Sequence, residues 1–222
     1  MICVIQSRMS STRLPGKMLM DINGRPLLGR VIDRVKAAKE VSKLIVATSI
    51  SREDDEIEQF CFNEKIKYYR GDLKNVYKRF KEIVTLEKAD SFVRISGDSP
   101  LIDPEVIDLA INNYNNEDCD LLTNIFPRTF PKGQSVEVIS SKAFTQIDET
   151  KLTLDQKEHV TKYFYDNVDD FSIKNFESSE EYQNINLCVD TLTDLHRIRK
   201  IFLKIDSDLI SWDQICRNNL WV

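Results

Sequence analysis

The chain has 222 residues, 41% hydrophobic and 30% charged, the composition of a soluble globular protein long enough to bury a core. Its formal net charge of −5 excludes general nucleic-acid binding, which depends on a basic face that neutralises phosphates. The charge is uneven: residues 1–40 carry a net +5 and the remainder −10, so the basic end suits a small anion better than a polymer.

Short β-rich apolar runs alternate with amphipathic stretches, the pattern of an α/β domain with a mainly parallel sheet and a Rossmann-like order. "MICVI" predicts the first strand, and residues 26–38 a helix with Leu27, Leu28, Val31, Ile32 and Val35 on one face and Pro26 in its first turn. A strand is expected at 43–49, then a helix over 52–64 with Ser51 as its cap. A short strand at 66–70, a helix at 73–88 and a strand at 91–96 follow, before a helix that starts at Pro104. Beyond residue 115 the expected strands are 119–125, 134–140, 171–176 and 185–190, with helices at 141–147 and 155–167. No repeat or linker divides the chain, so 1–222 reads as a single domain whose residues 116–185 elaborate an acceptor side and a possible dimer interface.

Cys3, Cys61, Cys119, Cys188 and Cys216 are odd in number and far apart, with no CxxC pair, and read as reduced thiols of a cytoplasmic protein. No run approaches membrane-spanning length, so no membrane partner is expected.

"IQSRMSSTRLPGK", residues 5–17, leaves the first strand with Arg8, Arg13 and Lys17 in one loop. A loop at the strand ends of an open α/β sheet exposes backbone N–H groups, and three cations add charge for several phosphate oxygens. Gly16 allows close backbone approach, so the loop reads as a polyphosphate cradle. It is neither a Walker A loop, since "STRLPGKM" lacks the first glycine and the following Ser or Thr, nor a GxGxxG fingerprint. Any one of these residues alone is more simply a solvated cation.

"QSRMSSTRLPGK" resembles the signature loop of the cytidylyltransferase family that includes acylneuraminate and 3-deoxy-manno-octulosonate cytidylyltransferases, and is most similar to its spore coat polysaccharide biosynthesis protein F branch. The resemblance implies a nucleotide-diphospho-sugar transferase-like fold, CTP as substrate, a small sugar-like acceptor, Mg²⁺ as cofactor and a homodimer. It puts Arg8 and Lys17 on the triphosphate with Arg13 as a third cation, and Gln6 and Ser7 near the base.

Asp98 follows Gly97 at a strand end, where a carboxylate can help hold Mg²⁺ against phosphate oxygens. The bland reading is a turn aspartate bonded to nearby backbone; the resemblance of "GDSPL" to the family's metal-binding element favours the first. Asp103 reads as the cap of the helix from Pro104. Asp190 also ends an apolar run and can be read as a helix cap, but "VDTLTDL" resembles the element whose first aspartate completes the metal site. The expectation is that Asp98 and Asp190 meet in space.

"GDLKNVYKRF" resembles the branch's next element and implies nucleotide or acceptor contacts by Asn75 and Arg79, against plain roles as a helix-surface amide and a salt-bridged arginine. Thr48, in "ATS", is placed at a strand end to touch base or ribose, although relatives carry "TDD" there. "PRTFPKGQSVEVIS" resembles an acceptor-side segment, implying substrate-facing Lys132 and Glu137; "GQS" departs from the commoner "GLD", a difference that bears on acceptor preference. His159, in "KEHVTKYFY", is a further acceptor contact, or a structural histidine with no HxxxH partner for zinc.

The reaction this implies is transfer of CMP to a sugar acid or related sugar or polyol phosphate, with release of pyrophosphate, for surface polysaccharide synthesis. Competing readings are a sugar-phosphate nucleotidyltransferase using another nucleotide, a noncatalytic nucleotide-binding module, and a glycosyltransferase, the last disfavoured by the "RLPGK" loop.

Overall fold

A computed structural model describes residues 1–222. In chain order the strands are β1 (Ile2–Gln6), β2 (Asp21–Ile22), β3 (Arg25–Pro26), β4 (Lys43–Ser49), β5 (Lys67–Gly71), β6 (Ser91–Ser96), β7 (Leu121–Thr123), β8 (Glu137–Ser140) and β9 (Ile173–Asn175). The helices are α1 (Leu27–Ala37), α2 (Asp55–Asn63), α3 (Val76–Glu87), α4 (Pro104–Asn115), α5 (Ser141–Gln146), α6 (Leu154–Glu158), α7 (Lys162–Asp166), α8 (Leu192–Lys204) and α9 (Trp212–Arg217).

Seven strands form one sheet in the order β5-β4-β1-β6-β8-β7-β9. The first four are parallel, β8 runs antiparallel to both β6 and β7, and β9 is parallel to β7. Alternation along β1 sets the layers: Cys3 and Ile5 face a core shared with α1, α2, α4, α8 and α9, whereas Val4 faces one shared with α3, α5 and α7. The expected mainly parallel sheet between helical layers is therefore present. No helix is long and apolar enough to cross a membrane.

Register brings the functional stretches to one rim. Gln6 lies opposite Ala47 of β4 and Ser96 of β6, so the loops after these three strands open side by side. Gly97 keeps the rim tight: its N–H donates to Gln6 O at 2.8 Å, and a Cβ there would lie 2.8 Å from that same oxygen.

Several local expectations change. Residues 185–190 form no strand; a single bridge links Asn186 to Lys132, and the Asn186 side chain bonds Cys188 N, curling the chain. The expected helix at 155–167 is two short ones, broken at His159–Thr161. Ser51 makes no side-chain cap; its N–H donates to Ser49 Oγ, and a 3-10 turn over Arg52–Asp54 precedes α2. The β2-β3 hairpin was not anticipated although its turn is written in sequence: Asn23 and Gly24 have φ of 51° and 82°, the left-handed pair that a two-residue hairpin turn requires.

Candidate active site

The loop after β1 closes on itself. Met9 O accepts from both Ser11 N and Gly16 N, and Gly16, at φ 74°, turns the chain into a 3-10 turn that begins at Lys17. Gly16 thus shapes the loop from its outer side rather than lining the cavity. Asp54 anchors the loop from beneath: fully buried, it accepts from Met9 N at 2.7 Å, from Ser49 N at 3.0 Å and from Ser49 Oγ. Asp54→Asn presents an NH₂ to one of these donor sets, and is expected to cost about 1–3 kcal/mol in urea unfolding and to weaken phosphate binding through a loosened loop.

Beside the loop lies a cavity of about 430 Å³, lined by the Gln6–Arg8 and Ser11–Arg13 segments, Lys17, Arg94, Ser96, Asp98, Glu158, His159 and Asp190 among others. Its centre is Lys17, only 5% exposed, whose Nζ donates to Val189 O at 2.7 Å and to Asp98 Oδ2 and Asp190 Oδ1 at 3.1 Å each. The two carboxylates expected to meet do so, across one ammonium. Arg13 Nη2 also reaches Asp190 Oδ1, at 2.8 Å.

The bland readings of both aspartates fall away. Asp98 makes no bond to a neighbouring backbone N–H; its other contact is with Ser99 Oγ at 3.4 Å. Asp190 does not cap α8, because Thr191 does, in a capping box with Asp194. Asp194 Oδ2 accepts from both Asp190 N and Thr191 N, which fixes the backbone and leaves the Asp190 carboxylate to the cavity. Asp103 caps α4 as expected, bonding Glu105 N, and its other oxygen takes Trp212 N.

Two hard carboxylates already sharing a cation suit Mg²⁺, which takes one or two carboxylates and fills its remaining positions with phosphate oxygens and water. No cluster of three or more His, Cys, Asp or Glu side chains forms, so the donor set is an open one and not a closed structural site.

The remaining expected contacts divide. Gln6 and His159 line the cavity, His159 with an exposed ring 3.5 Å from Asp155. Ser7 and Thr48 are buried, each with an unpaired hydroxyl, and of the two only Ser7 lines the cavity. Asn75 is used structurally: its Oδ1 caps α3 on Lys78 N and its Nδ2 donates to Glu149. Arg79 is fully buried beneath the rim, donating to the carbonyls of Ala47 and Asp72, with burial lowering its pKa to about 10. Lys132 is exposed beside Asn186 and away from the cavity. Glu137 is fully buried and spent on Tyr165 at 2.6 Å and Arg94 at 2.7 Å, because its place on β8 turns it toward these partners. Gln134, in the "GQS" stretch, is also an internal brace: it accepts from Asp103 N and donates to Leu101 O, holding the turn that carries Asp98.

Arg94, Glu158 and Asp54 were missed as site residues. Arg94 carried a usable signal, a charge within the buried strand pattern "SFVRIS". Held by Glu137, it donates through Nη2 and Nε to Gln6 Oε1 at 2.9 and 3.3 Å. A guanidinium only donates, so Gln6 must turn its oxygen to Arg94, leaving its NH₂, which has no protein partner, as a donor at the cavity floor. Glu158 pairs with Arg8 at 2.5 Å, and that hydrogen bond holds its carboxyl below the usual glutamate range.

Cys188 lies near the acidic pair, but burial, then Asp98 and Asp190, push its thiol up to about 12, and its Sγ contacts Asn186 Oδ1 at 2.9 Å. A thiol neutral at pH 7 is no nucleophile, so Cys188→Ser is expected to keep turnover within about twofold in a pyrophosphate-release assay.

Comparison with known proteins agrees with this geometry. The family model described as cytidylyltransferase matches residues 2–219. Spore coat polysaccharide biosynthesis protein SpsF of Bacillus subtilis is 29% identical over 208 residues, covering 90% of this chain and 85% of that protein. A 3-deoxy-manno-octulosonate cytidylyltransferase of Geobacter sulfurreducens is 37% identical over 110 residues, 49% of this chain and 42% of the relative. A solved cytidylyltransferase from Leptospira borgpetersenii is similar throughout, with a TM-score of 0.93 at 26% identity, covering 100% of this chain and 95% of its own.

Proposed function

This chain belongs to the cytidylyltransferase family, and from that premise we propose that it transfers CMP from CTP to a sugar acid or a related sugar or polyol phosphate, releasing pyrophosphate. The observation that carries the proposal is the convergence of Asp98 and Asp190 on Lys17 beneath a loop that also holds Arg8 and Arg13.

In this reading an acceptor oxygen attacks the α-phosphorus of CTP while the bond to the β-phosphate breaks, and pyrophosphate leaves with that bond's electron pair. Arg8, Arg13 and Lys17 bind and orient the phosphates and meet the charge that develops on the leaving group. Such preorganised charge and alignment supply most of the rate acceleration in this class of transfer, so no covalent protein intermediate is needed. Asp98 and Asp190 would hold Mg²⁺, which would neutralise part of the triphosphate charge.

The unpaired Gln6 NH₂ offers a donor at the cavity floor, in keeping with its expected place near the base. The name of the Bacillus relative supports a product for surface polysaccharide synthesis, and that of the Geobacter relative a sugar-acid acceptor. A homodimer belongs to the same proposal.

The test is pyrophosphate release with CTP and Mg²⁺ against a panel of sugar acids and sugar phosphates. Release with an acid or phosphate acceptor and CTP is the expected result. Faster release with UTP, GTP or ATP across the panel would move the assignment to another sugar nucleotidyltransferase.

A further inference from the structure

Each cation of the phosphate loop is already held by a carboxylate: Lys17 by Asp98 and Asp190, Arg13 by Asp190, and Arg8 by Glu158. Asp98 and Asp190 keep a use once nucleotide arrives, since they also suit a metal. Glu158 has none. Beside a bound triphosphate it is simply a like charge, so phosphate oxygens and Glu158 compete for Arg8.

Glu158 also sits on a segment that touches α3 and α7 but buries no side chain fully. Residues 153–159 run between two buried anchors, Leu152 and Val160. Within them α6 has no buried residue, and Leu154 is 82% exposed. An element that buries no side chain fully takes much of its position from polar ties. Most ties here are local: the Thr153–Gln156 capping box, Gln156 to Asp166, and Asp155 to His159 and Lys162. The one side-chain bond that leaves this neighbourhood is Arg8–Glu158, spanning 150 residues of sequence. It is also the only polar protein contact of the Arg8 guanidinium. His159, next in the chain, lines the cavity, so movement of this strap reshapes the cavity wall.

We propose that Glu158 is a positioning residue for the nucleotide: it occupies Arg8 in the empty enzyme, gives the guanidinium up to phosphate oxygens, and so releases the 153–159 strap at the cavity wall when the triphosphate binds. This rests on the assignment of the loop to phosphate binding made above. The internal carboxylate lowers the fraction of protein with Arg8 available, and hence the apparent affinity for phosphate. Because both partners are partly exposed, at 31% and 45% of their side chains, the effect is modest.

The experiment is calorimetric titration of the full chain with inorganic tripolyphosphate and, separately, with CTP. It compares the wild type with Glu158→Gln, Glu158→Asp, Arg8→Gln and the Arg8→Gln/Glu158→Gln double variant. Glu158→Gln is expected to bind tripolyphosphate about two- to fivefold more tightly than wild type, with Glu158→Asp, which keeps the charge, nearer to wild type. In the Arg8→Gln background the Glu158 change is expected to have no effect. Tripolyphosphate is also expected to speed tryptic cleavage after Lys157 in the wild type.

Unchanged or weaker binding by Glu158→Gln overturns the proposal, as does tightening that survives Arg8→Gln, or a failure of tripolyphosphate to bind at all. If tripolyphosphate gives the expected pattern while CTP does not bind, the carboxylate-for-phosphate exchange stands and the nucleotide assignment falls.

Discussion

Lys17→Met is expected to lower pyrophosphate release by roughly 10²–10³-fold, the usual cost of removing one well-placed group that meets developing charge. Methionine keeps the unbranched stem and packs in the same slot, so the change is chiefly loss of charge. Lys17 lies at the one point from which both Asp98 and Asp190 are reached at 3.1 Å, and no other cation reaches Asp98. Its removal leaves two carboxylates facing one another, with Arg13 still on Asp190. The expected loss of stability is about 1–3 kcal/mol, less than for a fully buried pair because both carboxylates retain some solvent contact. Mg²⁺ should then stabilise Lys17→Met in thermal unfolding more than it stabilises the wild type, because the metal can take the cation's place between the carboxylates. Equal Mg²⁺ stabilisation of the two proteins would count against the shared site.

Asp98→Asn and Asp190→Asn are expected to separate binding from turnover. Each removes a negative charge that lies close to where the phosphates bind, so CTP affinity without Mg²⁺ should hold or rise. Each also removes a hard metal ligand, so the gain in affinity on adding Mg²⁺ should shrink and pyrophosphate release fall by roughly 10²–10³-fold. Asp190→Asn should be the more disruptive to the loop, since Asp190 Oδ1 receives both Lys17 and Arg13. Normal Mg²⁺-dependent turnover in both variants would remove the pair from the site. Parallel loss of binding and turnover would recast the aspartates as struts for Lys17.

The parallel half of the sheet was legible because its signals are local. The apolar runs of β4 and β6 match the expected 43–49 and 91–96, and the spacing from Leu27 to Val35 placed α1. The meeting of Asp98 and Asp190 was legible through the resemblance of "GDSPL" and "VDTLTDL" to the family's metal elements and not through topology, since Asp98 follows β6 but Asp190 follows no strand. Glu158, Asp54 and the Arg94 relay were not, because each acts on a partner far along the chain. Arg8 and Glu158 are 150 residues apart, Met9 and Asp54 45, and Arg94 and Gln6 88. Asn75, Arg79 and Glu137 differ the opposite way: the residue types suited a site, but burial and partners close in space engage most of their polar atoms, Arg79 Nε excepted. The misplaced strand at 185–190 is similar, since its apolar residues are buried without a neighbouring strand to pair with.

The Arg8–Lys17 loop and the Asp98–Asp190 pair together make up the proposed Mg²⁺-dependent CTP site. Calorimetric titration of the wild type with CTP and UTP, each with and without Mg²⁺, tests it most directly. CTP is expected to bind, Mg²⁺ to tighten it, and UTP to bind at least about tenfold more weakly, as where a site reads hydrogen-bonding groups on the base. CTP binding that ignores Mg²⁺, or CTP and UTP bound alike, would contradict this assignment.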